Sequence, residues 1–459
     1  MAGPREIAVS AVNAVLTGDV YSDTILDILF SREKTPAKNL TKKDRALSTE
    51  ITYGVLRNLG RIDFILSHFS KRSLKSVDDR VLNILRVALY QIVFLDKVPS
   101  YAAVNEAVDL AAIFGKRSAG SFINGVLRSA LRSLDIVKYP SEKKDPTGFL
   151  STFYSLPRWL AHFFIDTFGY EKAAIIAKSY VQRPSITIRT NSMRRSREEL
   201  LEILIERGFD ASPTQYSPQG IVIEGGGALS KDELYLNGDF TIQDEVSQLI
   251  PLILDPKPKM KVLDLCAAPG IKGSYVSELM GDAGVVVSVD KIGGRAKMIV
   301  ENAKRLGIKS LKTVTADTHN APFKTTEEFD LVLIDPPCSG LGTLRRNPEI
   351  KWRIEKRDID ILISLQRELL KVASAHVKKD GGLVYCTCTI NPAEGIKIID
   401  DFIENHPNFS LEDISPYLKK KVTGKLVSEG NLFTPPYVFK DDAGDGPDGF
   451  FAARIRRDR

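Results

Sequence analysis

The sequence predicts three domains: an all-α bundle over residues 1–140, a linker with a small α+β domain over 141–250, and a parallel α/β domain over 251–459. Two observations carry this. The chain has 459 residues, more than one ordinary core holds, and about 150 residues per domain is the usual scale. Its apolar pattern also changes twice, from a helical period to a mixture, and then to short apolar runs alternating with helical stretches. With 43% hydrophobic residues, the chain has the surface to bury that a disordered chain lacks.

Residues 5–135 read as helices. In 81–95, Val81, Ile84, Leu85, Ala88, Leu89 and Ile92 recur at the three-and-four spacing of one buried face. Segments near 5–17, 21–31, 43–55, 60–70, 101–115 and 119–132 repeat the pattern. Short connectors such as Lys97-Val98-Pro99-Ser100 imply a compact bundle. The polar text YPSEKKDPTG, around 136–150, reads as the linker. Across 151–255, helices are expected near 157–180 and 196–207, with strands at Ser185–Thr190, Ile221–Glu224 and Asp239–Gln243. From 261, apolar runs at Lys261–Leu265, Val285–Val289, Leu311–Thr315, Leu331–Ile334 and Gly382–Thr387 alternate with helical text at 273–280, 293–306 and 358–379. That alternation implies a parallel sheet with crossovers on both faces, whose ligand sits at the carboxyl ends of the strands.

Charge and cysteine are unevenly distributed. Lys+Arg against Asp+Glu is 20 to 14 over 1–140, 12 to 15 over 141–250 and 32 to 29 over 251–459, so the net +6 of the chain equals that of its first block. A basic module of this kind fits a polyanionic partner, and equally a surface with a lysine surplus. Cys266, Cys338, Cys386 and Cys388 all lie in the last block. Four cysteines in such a length make no secreted disulfide framework. The start MAGPREIAVSAV lacks a signal-peptide layout, and VLNILRVALYQIVFL (81–95) is too short and too polar to span a bilayer. A reduced, cytoplasmic setting without membrane attachment is therefore expected, in which clustered cysteines point to catalysis or metal.

The first apolar run ends in Asp264-Leu265-Cys266-Ala267-Ala268-Pro269-Gly270-Ile271-Lys272-Gly273. Small residues there let the backbone approach a ligand before a helix begins, although a purely structural turn has the same composition. Asp290 closes the second run in VVVSVDK and suits the two hydroxyls of a ribose, while Asp317 in VTADTHN is placed for an adenine edge. Acids at successive strand ends point to a nucleoside cofactor; singly, each reads as a cap. The fourth run ends in Asp335-Pro336-Pro337-Cys338-Ser339-Gly340 and the fifth in Tyr385-Cys386-Thr387-Cys388-Thr389, so two cysteines reach neighbouring ends beside a carboxylate. Free cysteines also pack as small hydrophobes, the reading favoured for Cys386. Zinc is not expected, because C-x-C is not the usual knuckle spacing and no histidine lies nearby.

LDLCAAPG, DPPCSGLGTLRRNPEIKW and the Thr387-Cys388 pair resemble the motifs of the S-adenosylmethionine-dependent RNA cytosine-C5 methyltransferases, the RsmB/NOP2/NSUN family. QDEVSQLI (243–250) and DGFFAARI (448–455) extend the resemblance. VPSYAAVNEAVDLA and FINGVLR resemble the NusB-type RNA-binding bundle, a layout similar to the bacterial 16S ribosomal RNA branch of the Sun/Fmu type.

The resemblance implies a NusB-like bundle, an RRM-like or ferredoxin-like middle domain and a Rossmann-like catalytic domain that uses S-adenosylmethionine. It implies Cys388 as nucleophile on cytosine C6, Cys338 as the thiol that assists elimination and product release, and Asp335 as the group stabilising the base. Cofactor contacts are implied for Cys266, Ala267, Ala268, Pro269, Gly270, Lys272, Asp290, Arg295, Asp317 and Asp335. Lys272 and the Arg345, Arg346, Lys351 and Arg353 group could supply the positive surroundings a thiolate needs, and that group could instead form a solvated rim gripping RNA phosphate. Trp352 and Tyr385 are candidate stacking aromatics, with packing favoured for Tyr385.

The family loop reads A-P-G-G-K-[TS], whereas this chain has Ile271 and Gly273; isoleucine is restricted where glycine can adopt positive φ. The expected partner is RNA, 16S ribosomal RNA first. A transfer RNA substrate and a non-catalytic RNA-binding or assembly factor are the other readings.

Overall fold

The computed structural model describes residues 3–18, 20–31, 40–225, 229–318, 328–439 and 446–458; His319 and Asn320 of the VTADTHN motif lie outside them. The chain forms two compact units, Met1–Arg183 with Leu344–Arg353, and Pro184–Thr343 with Ile354–Arg459.

The first unit is helical: Pro4–Thr17, Ser22–Ser31, Lys42–Phe69, Asp79–Phe94, Ser100–Ile113 and Gly120–Arg132, then Pro146–Phe153, Arg158–Phe168 and Tyr170–Val181. The predicted face of Asp79–Phe94 is buried through Val81, Ile84, Leu85, Ala88 and Leu89. Two expected helices at 43–55 and 60–70 are one, bent at Asn58 (φ −107°, ψ 15°) and opened by a Thr41/Asp44 capping box. The single helix expected over 157–180 is two, divided at Gly169, whose φ of 79° ends the first.

The compact helical unit runs past residue 140 to Arg183. Residues 141–183 pack on the bundle because their aromatics have partners there. The Arg61 guanidinium lies 4.4 Å from the Phe153 ring centroid, and the Gly60 N–H donates to Ser155 Oγ at 2.7 Å.

Residues 344–353 also belong to this unit, which corrects the reading of Lys351 and Arg345 as solvated cations. Lys351 is wholly buried and donates to the Arg57 carbonyl at 2.8 Å; burial and the neighbouring Arg57 push its ammonium well below the usual lysine range. Arg345 is 4% exposed, and Arg346 is half-buried. Arg353 donates to the carbonyls of Val15, Gly18 and Val20 at 2.6, 3.0 and 2.6 Å. The Trp352 indole N–H donates to the Leu56 carbonyl at 2.8 Å, beside the helix bend. Lys351, Trp352 and Arg353 satisfy backbone carbonyls within the unit, and Lys351 and Arg345 are too buried to form a solvated rim.

In the second unit, β1 (Ile186–Thr190), β2 (Asp210–Pro213), β3 (Gly220–Glu224) and β4 (Phe240–Ile242) form an antiparallel sheet in the order β2-β3-β1-β4. Its inner face closes over Leu200 and Leu204 of helix Arg197–Glu206.

The large sheet contains β5 (Lys261–Leu265), β6 (Val285–Asp290), β7 (Leu311–Thr315), β8 (Phe329–Ile334), β9 (Val377–Thr387), β10 (Phe409–Glu412), β11 (Val427–Ser428), β12 (Asn431–Phe433) and β13 (Phe451–Arg457). Its order is β11-β12-β13-β9-β8-β5-β6-β7, with β10 on β13. The five expected strands form the parallel part, β9-β8-β5-β6-β7. Residues 377–379, expected to be helical, begin β9. The DGFFAARI segment supplies β13, antiparallel to β9. No helix among the described residues is long and apolar enough to cross a membrane.

Trp352→Ala should cost about 3 kcal/mol of stability and raise amide hydrogen exchange at Leu56–Gly60 of the bent helix. Unchanged exchange there would contradict the placement of residues 344–353 in the helical unit.

Candidate active site

Parallel pairing brings the functional loops together at one end of the large sheet. After β5, Cys266 (φ 58°) and Gly270 (φ 88°) turn the chain into helix Ile271–Leu279. Gly270 takes the left-handed position, while Ile271 starts the helix without a positive φ, so the isoleucine does not strain the loop. A Cβ on Gly270 would approach Ile299 Cγ2 to 2.8 Å. Gly273 is needed for a different reason: a Cβ there would stand 2.5 Å from Asp264 Oδ2 and 2.9 Å from Ser288 Oγ. Asp264 is fully buried, and burial lifts its carboxyl to about 7. Burial likewise pushes the Cys266 thiol up to about 12, so this residue contributes backbone geometry rather than a reactive sulfur.

Asp290, 3% exposed, ends β6 and accepts from the Ala268 and Ile292 N–H groups, both at 3.1 Å. Arg295 reaches within 3.7 Å of Asp290 and donates to the Ala268 carbonyl at 3.3 Å. Asp317, just past β7, pairs with Lys291 at 2.7 Å. Two carboxylates at neighbouring strand ends, beside a loop whose backbone turns tightly, fit a nucleoside with an amino-acid tail.

The thiols lie on the other side of β5. Cys338 follows β8 and Cys388 follows β9, and their Sγ atoms are 3.3 Å apart. The hydrogen bond with Cys388, burial, and the carboxylates of Glu394 and Asp335 push the Cys338 thiol well above the ordinary range. Asp335 forms an ion pair of 2.5 Å with Lys272. Burial alone would lower the Lys272 pKa, but Asp335 reverses this and holds the ammonium charged. Cys386 is wholly buried in the strand, as expected of a packing cysteine, and Tyr385 is buried with its hydroxyl on the Glu394 carbonyl at 2.9 Å. Among the described residues, no cluster of three or more His, Cys, Asp or Glu could hold a metal.

Two buried charges escaped the sequence reading. Glu394 receives donors from both cysteine loops; the polar spacing Thr389, Asn391, Glu394 in otherwise apolar text was the available signal. Arg189 of β1 is wholly buried and reaches the first turns of helix Ile271–Leu279. It donates to the Ile271 carbonyl at 3.0 Å, to Ser274 Oγ at 3.2 Å and to Glu278 at 2.6 Å, and it also bonds Gln243. Nothing local in the sequence marked it, since its partners lie more than 50 residues away.

A sheet end with acids suited to a nucleoside on one side and paired thiols on the other fits an S-adenosylmethionine-dependent methyltransferase. Comparison with known proteins narrows the class. Residues 251–456 match the family model described as 16S rRNA methyltransferase RsmB/F, residues 2–132 match the NusB family, and 156–230 match a ferredoxin-like domain of RsmF/B-like methyltransferases. The chain is similar to "Probable ribosomal RNA small subunit methyltransferase B" of Bacillus subtilis (strain 168), at 35% identity over 99% of this chain and 98% of the relative. A protein of the same name from Synechocystis is 33% identical over the full length of both. The crystal structure of PH0851 superposes with a TM-score of 0.80 at 27% identity, covering 99% of both chains. The chain belongs to the RsmB/F family of S-adenosylmethionine-dependent RNA methyltransferases.

Arg189→Met should leave Glu278 buried without its cation, costing about 3–5 kcal/mol and weakening cofactor binding through the loosened Ile271 turn. Denaturation and cofactor titration check this, and Arg189→Met with Glu278→Leu should recover most of the stability. A single variant with native stability and affinity would contradict it.

Proposed function

We propose that the protein methylates C5 of a cytidine in 16S ribosomal RNA through a covalent adduct between Cys388 and C6 of the base. The observation that carries this is the 3.3 Å approach of the Cys338 and Cys388 thiols beside Asp335. Cytosine C5 is a poor nucleophile until a thiolate adds at C6; the C5 proton and the thiol must then leave in turn. One thiol therefore forms and breaks a carbon–sulfur bond, and a second group manages the proton.

Cys388 forms the bond to C6. The Lys272 ammonium lies within electrostatic reach of it. Cys338, a neutral thiol in the resting site beside it, assists elimination and product release after a solvent base takes the C5 proton. Asp335 accepts a hydrogen bond from the exocyclic amine of the base, with Lys272 fixing the carboxylate. Bound S-adenosylmethionine would supply an electrophilic methyl group; Asp290 would hold its ribose, Asp317 its adenine, and the 266–272 loop its methionine portion. The target base must be unpaired or flipped to reach the thiols. The names of the relatives support ribosomal RNA as substrate, and the match of residues 2–132 to the NusB family supports RNA docking by the helical unit.

The test is transfer of labelled methyl to unmodified 16S ribosomal RNA and to transfer RNA. Wild-type protein should label the ribosomal RNA, Cys388→Ala should lower transfer by roughly 10³-fold or more, and Cys338→Ala should accumulate a covalent RNA–protein adduct. An active Cys388→Ala variant would overturn the assignment of the nucleophile. Labelling of transfer RNA alone would overturn the substrate.

A further inference from the structure

The two thiols stand on separate loops, and one buried carboxylate holds both loops. Glu394 is wholly buried. Its Oε1 accepts from the Ser339 backbone N–H at 2.7 Å and from Gln366 Nε2 at 3.1 Å. Its Oε2 accepts from Ser339 Oγ at 2.5 Å, Asn391 Nδ2 at 3.1 Å and Thr389 Oγ1 at 3.2 Å. Ser339 directly follows Cys338, and Thr389 directly follows Cys388. Gln366 also donates to the carbonyl of Pro337, the residue before Cys338, at 2.9 Å. The Ser339 and Thr389 hydroxyls meet at 2.9 Å, and the Gly342 N–H donates to the Cys388 carbonyl at 3.1 Å.

A buried carboxylate costs several kcal/mol in desolvation before its hydrogen bonds offset it, and an apolar side chain of similar volume would fill the same space at no such cost. What the carboxylate alone provides is acceptor capacity, with four lone-pair sites shared between two loops. No apolar residue could tie the Ser339 N–H to the Thr389 and Asn391 side chains.

We propose that Glu394 is a positioning residue, whose carboxylate clamps the Cys338 and Cys388 loops at the separation that two-thiol chemistry requires. This rests on the roles proposed above for the two cysteines. Glu394 acts through them, because it is wholly buried and both its carboxylate oxygens are engaged by the two cysteine loops and Gln366. The Glu394→Gln amide has the same shape but turns one acceptor into a donor. It then faces either the Ser339 N–H or the Asn391 amide with hydrogens on both sides, and one loop is released.

The experiment compares wild type, Glu394→Gln and Ser339→Ala, which removes one hydroxyl donor and leaves the carboxylate its other partners. In Glu394→Gln, kcat should fall about 10²-fold, the scale of a small misplacement of reacting groups, while KM for RNA and Kd for cofactor stay within about twofold. Ser339→Ala should show a smaller loss of kcat in the same pattern.

Phenylarsine oxide, which condenses with two adjoining thiols and releases water, reads the thiol separation without RNA. Mass spectrometry should show its bridged adduct forming about tenfold more slowly in Glu394→Gln than in wild type. Wild-type kcat or wild-type arsenical capture in Glu394→Gln would overturn the proposal. So would parallel loss of cofactor binding and thermal stability in Glu394→Gln while Ser339→Ala behaves as wild type, which is the mark of a residue serving the fold alone. Failure of the wild type to form any RNA adduct would instead strike the proposed function, with the arsenical comparison still deciding Glu394.

Discussion

The site depends on one pairing: β8 and β9 run parallel and adjacent, with Ile334 opposite Tyr385. Neighbouring strands lie about 4.8 Å apart, so chains leaving their carboxyl ends start close enough for two short side chains to meet. Cys338 comes four residues after Ile334 and Cys388 three after Tyr385, a difference the loops absorb through the Gly342–Cys388 and Ser339–Thr389 contacts. The same strand order sorts the chemistry. Acids suited to a nucleoside close β6 and lie just past β7, thiols follow β8 and β9, and β5 between them sends Lys272 to Asp335.

Buried charge is the second organising feature. Burial opposes every ionised form, so each charged group in this core persists through named partners. Lys272 stays charged through Asp335, and Arg189 shares its guanidinium among Gln243, Ile271, Ser274 and Glu278. Among the described residues Asp264 has no ion-pair partner; burial outweighs the more distant Lys272, and its carboxyl rises to about 7. Glu394 is held by hydrogen-bond donors rather than by a cation, which lets one carboxylate join two loops without neutralising the carboxylate field at Cys338.

The parallel strands were legible because five-residue apolar runs such as Lys261–Leu265 and Leu311–Thr315 end in small or acidic residues. Cys338 and Cys388 were legible because their motifs are short and local. The helix through Asn58 was not, since a bend within one helix and a break between two leave the same gap in the apolar pattern. Lys351 and Arg353 were misread for a plainer reason. A cation satisfied by backbone carbonyls and one facing solvent have the same sequence, and only the partners, some 290 to 340 residues distant in the chain, separate them. Glu394 and Arg189 belong to the same class: their meaning lies in tertiary partners, and a single polar letter inside an apolar segment does not reveal them.

The claim that Cys388 attacks the base is tested most directly by trapping the adduct. Small-subunit ribosomal RNA transcribed with 5-fluorocytidine offers the same C6 to the thiolate, but after methyl transfer the C5 fluorine cannot leave as a proton does, so elimination stops. With wild-type protein and S-adenosylmethionine, peptide mapping of the trapped complex should place the methylated nucleotide on Cys388. A nucleotide on Cys338, or no covalent complex under conditions where unmodified RNA is methylated, would contradict the account.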